Sequence, residues 1–136
     1  MNQKLIFRAS LFCLLITLTA CSSTLKRSVN YTGKWSGSDL PGHNYATFED
    51  FNGHQNFSIT PTSKGTLYIK YVATVAKGTL NLKISSPKKT IVSKTISGTI
   101  ADSVLVANSN QERLSILFDA SHADGSFDLK YGSKKE

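Results

Sequence analysis

The chain has 136 residues, with 16 basic side chains against nine acidic ones for a net charge of +7, and only two cysteines. That length suits one domain of about 100 residues. The charge is dispersed: Lys70, Lys83 and Lys130 alternate with apolar neighbours instead of forming a dense run, so a nucleic-acid partner is excluded.

The first element in chain order is a leader. Lys4 and Arg8 precede an apolar run from Ala9 to Ala20, and small residues follow, which is the pattern of an export signal. A bilayer-spanning helix needs about 20 apolar residues, so this run is too short for a permanent span. It ends in Leu18-Thr19-Ala20-Cys21. This tetrapeptide resembles the lipobox of bacterial lipoproteins. The resemblance implies cleavage between Ala20 and Cys21, with diacylglycerol on the Cys21 thiol and often a further acyl chain on the freed amine. Two or three such chains, at about 0.8 kcal/mol per buried methylene, hold a protein firmly on a bilayer. Cys13 lies inside the leader, so cleavage leaves Cys21 as the sole cysteine and no internal disulfide can form. Ser22 stands where an aspartate would favour inner-membrane retention. The resemblance therefore implies the outer membrane in a Gram-negative cell, or the outer face of the plasma membrane in a Gram-positive one.

Removing residues 1–20 leaves 14 basic and nine acidic residues. Residues 21–30 carry the lipidated terminus and a polar tether, of which residues 22–30 reach at most about 30 Å. Lys26 and Arg27 sit closest to the bilayer and suit anionic headgroups.

From residue 31 to 136 the hydrophobic period is two. Leu67, Ile69, Tyr71, Ala73 and Val75 alternate with polar neighbours, as do Leu80, Leu82 and Ile84, then Leu114, Ile116 and Phe118, and last Phe127, Leu129 and Tyr131. Thr90–Ile100 reads as one long strand or two short ones broken near Gly98, and Asp102–Ala107 as another. Asn52-Gly53 has the composition of a two-residue hairpin between Tyr45–Phe51 and Gln55–Thr60. Pro61–Gly65, Lys77-Gly78, Ser85–Lys89, Asn108–Asn110 and Ser121–Gly125 supply the other turn signals. Spacing of about ten residues predicts an all-β domain, a single antiparallel β-sandwich of seven to nine strands. The rhythm of Phe57 to Tyr131 resembles the small jelly-roll modules of secreted bacterial proteins, which carries a fold and no function.

No catalytic constellation is legible, and the chain is expected to be non-enzymatic. His43, His54 and His122 lie in polar, turn-like segments, and no serine sits in a nucleophile elbow. A hydrolase would require one of these imidazoles beside a serine and a carboxylate. Glu49 and Asp50 are adjacent on a strand and so point to opposite faces, which disfavours paired-carboxylate chemistry. His122, Asp124 and Asp128, with Asp119 nearby, superficially suggest a calcium loop but lack its ligand spacing. No cofactor and no metal is expected.

Two aromatic residues are candidates for a binding surface, Trp35 and Tyr45. Gly33-Lys34-Trp35 resembles the opening of lipocalin-like barrels, which implies a carrier of a small apolar ligand; the plainer reading is that Trp35 seals one end of the core. Tyr31, Tyr45, Phe48 and Phe51 suit either a groove for sugar rings or peptide side chains, or the core. The expected protein is thus a lipid-anchored envelope module. It binds the membrane through Cys21 and has an envelope protein or polysaccharide as partner. The lipocalin-like carrier is the alternative, and an envelope hydrolase comes third.

Overall fold

The computed structural model describes residues 32–108 and 110–134. The leader, the Leu18–Cys21 tetrapeptide, the tether and Tyr31 lie outside the described residues. Within them the chain forms five strands: β1 Lys34–Leu40, β2 His43–Ile59, β3 Gly65–Ser85, β4 Thr90–Asn108 and β5 Leu114–Ser133. All pair antiparallel in one sheet of order β1-β2-β5-β3-β4.

Four of these strands run 17 to 21 residues, far beyond the usual five or six. Four of the signals expected to break strands lie inside them. Asn52-Gly53 belongs to β2, at register shifts between Phe48 and Gly53. Lys77-Gly78 belongs to β3, at shifts between Val75 and Thr79. Ser121–Gly125 lies within β5, and Gly98 within β4 opposite Val75. The expectation of seven to nine strands is corrected to five. The reason is that a bulge and a tight turn demand the same thing locally, a residue with positive φ. Gly53, Gly78 and Gly98 meet it with φ of 136°, 73° and 65°. Asn52-Gly53 is no hairpin. The two-residue hairpin is Pro41-Gly42, which joins β1 to β2 with Leu40 opposite His43 and Gly42 at φ 80°. Proline followed by a positive-φ glycine fits a type II turn.

The bulges line up across the sheet, and there the sheet folds over. Phe118 and Phe127 are nine residues apart on β5, about 30 Å on a straight strand, yet their rings stack at 4.4 Å and 11°. The connections demand the same fold. β2 ends at Ile59 opposite Leu114, the start of β5, whereas Leu67 of β3 lies opposite Ser133, its end. Residues 60–64 join these places, and five residues reach only about 20 Å. Only a doubled-over sheet brings the two ends of β5 so close.

The extra residues in the bulges keep the apolar set on the inner face. In β3 the buried positions are 67, 69, 71 and 73 before the bulge and 80, 82 and 84 after it; in β5 they are even-numbered to Ala120 and odd-numbered from Ala123. Between the two halves lie Phe57, Phe118, Phe127, Ile69, Leu82, Ile116 and Leu129, all buried. Phe57, from one side of the bulge line, meets Phe127, from the other, at 5.7 Å. The β4–β5 connection is tied by Asn108, whose side chain donates to the Glu112 carbonyl and accepts its N–H, both at 2.8 Å.

Candidate functional site

The edge strand β1 positions the first site. Trp35 lies opposite Phe48 in register and therefore on the inner face. Its indole stacks on Phe48 at 5.8 Å and meets Phe51 and Phe127 edge-on at 5.4 and 6.0 Å. Phe48 and Phe51 are buried, but Trp35 keeps 42% of its surface exposed. It closes the ring cluster and still presents an aromatic surface to solvent. Gly37 sets how closely β1 approaches β2, because a Cβ there would fall 2.2 Å from the Tyr45 carbonyl oxygen.

On the outer face of the same strands, opposite the indole, a groove of about 650 Å³ is lined by Lys34, Ser36, Thr47, Glu49 and Asp124. Lys34 and Glu49 pair at 2.8 Å on the exposed face, and this carboxylate holds the Lys34 ammonium above its ordinary pKa. The Thr47 hydroxyl donates to the Ser36 carbonyl at 3.4 Å. The indole can stack on a flat apolar patch on one face of β1, and the hydroxyls, ammonium and carboxylates can hydrogen-bond on the other.

Two of the bulges meet beside this groove. The Asp50 carboxylate bonds His122 Nδ1 at 2.7 Å, and the Asp50 N–H donates to Asp124 Oδ1 at 2.8 Å. Asp50 and His122 both have left-handed backbones, φ 50° and 47°, so the contact fastens two strained positions. The sequence grouping of His122 with Asp119, Asp124 and Asp128 comes apart here. Asp128 bonds His43 at 3.1 Å instead, and Asp119 faces His54 across the β2–β5 register. Among the described residues no group of three or more metal-ligating side chains is arranged around a common point. The partners of His43 and His122 in these contacts are carboxylates. Glu49 and Asp50 likewise go to separate partners, Lys34 and His122.

Tyr45, the second aromatic candidate, does not join Trp35. It stands on the outer face, 42% exposed, with its ring 5.2 Å from that of His43. The two proposed binding residues belong to opposite faces because they are ten residues apart on strands paired around a hairpin. Trp35 aligns with Phe48, whereas Tyr45 aligns with Ser38 and Asp128.

Other features have no clear local signature in the sequence. Tyr71 is buried opposite Asp102 on the β3–β4 pair, and its hydroxyl donates to Asp102 at 3.3 Å. Lys94, from the other half of β4, bonds the same carboxylate and stands 6.0 Å from the Tyr71 ring. Burial raises the Tyr71 pKa, and Lys94 with the Ser103 N–H holds the Asp102 carboxyl below its ordinary value. This cluster fastens the two halves of β4 to each other at one edge, as Trp35 covers the rings at the other. Asn44 is buried, donates to Asp39 at 3.2 Å and, among the described residues, has no partner for its Oδ1. Only the Pro41-Gly42 turn was recognisable in advance, from the proline–glycine dipeptide itself.

Comparison with known proteins adds strand arrangements. No family model matches the chain, and no curated protein matches it. Among solved structures, the chain is similar to TmCBM61 in complex with beta-1,4-galactotriose, at 13% identity and a TM-score of 0.48, covering 77% of this chain and 92% of that one. It is similar to a CBM4 structure at 15% identity and a TM-score of 0.40, covering 73% and 75%. It is also similar to the Drosophila melanogaster CENP-C cupin domain at 13% identity and a TM-score of 0.35, covering 77% and 80%. At TM-scores below 0.5 none of these likenesses assigns a ligand to the chain.

Proposed function

We propose that the chain is a membrane-tethered envelope lipoprotein whose strand-built body, a β-sandwich made from one folded sheet, is a non-enzymatic binding module for polysaccharide. The observation that carries this reading is Trp35, an indole packed on three phenyl rings and still 42% exposed at the β1 edge. A sugar ring offers an apolar face that suits the exposed indole. The address rests on Leu18-Thr19-Ala20-Cys21 and on Cys21 being the single cysteine after cleavage.

The lipocalin-like carrier has less support. The space between the sheet halves is filled by buried side chains, and β1 and β4 remain edges with no contact between them among the described elements. A carrier needs an apolar cavity inside a closed barrel.

Trp35 is the only tryptophan in the chain, so its emission reports on the β1 edge directly. Titrating the full chain, held in nonionic detergent, with polysaccharide extracted from the producing cell's envelope should shift the emission saturably to the blue and protect it from acrylamide quenching. Emission unchanged throughout the titration would overturn the assignment.

A further inference from the structure

The outer face of the sheet carries a second arrangement, remote from Trp35. In the β3–β5 ladder Lys70 lies directly opposite Lys130, and His43 of β2 is opposite Lys130 on the other side. Directly opposed residues have Cβ atoms about 5 Å apart, and like charges placed so repel. Both lysines are exposed, and among the described residues neither is in an ion pair. The lysines line a groove of about 520 Å³ with Val72, Ser103, Asp102 and Asp128. Of its carboxylates, Asp102 turns to the other face, where it bonds Tyr71 and Lys94, and Asp128 bonds His43. The groove therefore sets two ammonium groups against one carboxylate, an excess of positive charge. Beside it, in the next cross-strand row, stand Tyr45, 42% exposed, and Val72, 45% exposed, with Asp128 between them.

Neighbouring unpaired ammonium groups add nothing to folding, and a bound anion would relieve their repulsion. The exposed tyrosine and valine next to them offer apolar contact for a ring rather than for an acyl chain, since the groove is shallow and crosses the middle of a flat strand face. We infer that this outer face is a second binding site, specific for the anionic groups of an acidic polysaccharide, with Lys70 and Lys130 as the charge-reading residues and Tyr45 as the stacking residue. The site deepens the reading of the chain as a polysaccharide-binding module by naming a charge class. It uses none of the residues of the Trp35 site.

The test is native electrophoresis of the full chain in nonionic detergent, in gels containing either polygalacturonate or uncharged dextran. Wild type should be retarded by polygalacturonate and not by dextran, and the retardation should weaken as salt is raised. The double variant Lys70→Gln with Lys130→Gln should bind polygalacturonate about tenfold more weakly, the sum of two modest exposed ion contacts. Its melting temperature should be equal to or above that of wild type, because the substitution removes a repulsion. Tyr45→Ala should also weaken retardation. Trp35→Ala should leave it unchanged, so loss of the first site and loss of this one are separable. Equal retardation of wild type and the double variant would overturn the inference, as would retardation by dextran to the same degree. It would equally fail if the chain ignored polygalacturonate while its Cys21→Ser form bound vesicles of phosphatidylglycerol through the two lysines.

Discussion

Asp102 shows what single residues contribute beyond the apolar pattern. Its carboxylate accepts from Lys94, Tyr71 and the Ser103 N–H. The bond from Lys94 is the largest cause that lowers its pKa below the ordinary 3.8. A carboxyl depressed in the folded state contributes its stability in full above the unfolded value and loses it as pH falls through the lower, folded one. Asp102→Asn should therefore melt below wild type at neutral pH, with the difference constant down to about pH 5 and shrinking as the pH falls below the ordinary carboxylate value. Thermal melts across that range check it, and a difference that does not change with pH would remove Asp102 from the edge cluster. At this scale the sequence was legible where burial decides and mute where partners do. Leu80, Leu82, Ile84, Ile116 and Leu129 are inside as their alternation predicts. Phe48, Phe51 and Tyr45 could not be sorted, since all are aromatic and lie within seven residues. Phe48 and Phe51 are both inside only because a bulge between them shifts the parity of β2.

Among the elements, the glycines of the fold line carry the architecture. The turn signals at Asn52-Gly53, Lys77-Gly78 and Ser121–Gly125 were read correctly as interruptions and wrongly as ends. Whether a positive-φ residue reverses the chain or only kinks it depends on whether the next strand pairs with the same neighbours. In β3 the partners on both sides of Gly78 are β4 and β5, and nothing within a few residues of Gly78 encodes that. Loops truly between strands, at Pro61–Gly65, Ser85–Lys89 and after Asn108, were legible because proline and clustered polar residues break pairing outright. The glycines differ in what surrounds them. A Cβ on Gly78 would fall 2.2 Å from the His122 carbonyl oxygen, whereas one on Gly98 would meet nothing within 4 Å. Both have left-handed φ, so Gly98→Ala should cost only backbone strain, about 1 kcal/mol or about 5 °C in melting temperature. Gly78→Ala adds a backbone clash and should cost about 3 kcal/mol or more. Equal losses in the two variants would mean that the sheet does not close tightly at the bulge between β3 and β5.

For the whole molecule, one sheet doubled over a ring-filled interior leaves two separate candidate surfaces, the exposed Trp35 indole at the β1 edge and the Lys70–Lys130 face. All-β composition and antiparallel pairing were legible from the period of two and the absence of any helical stripe after residue 31. The folding of a single sheet was not, because it is expressed only in the distance between residues such as Phe118 and Phe127. Under the proposed reading, either surface meets an envelope polymer only if the chain is exported and held at a membrane through the sulfur of Cys21. The direct measurement is fractionation of cells expressing wild type and Cys21→Ser, with the intact mass of the recovered chain. Wild type should sediment with membranes, begin at residue 21 and carry the mass of two or three acyl chains. Cys21→Ser should appear in the soluble fraction or persist as the uncleaved precursor. A wild-type chain that washes off in aqueous buffer with an unmodified thiol, or a serine variant that fractionates as wild type does, would contradict the tether and with it the assigned role.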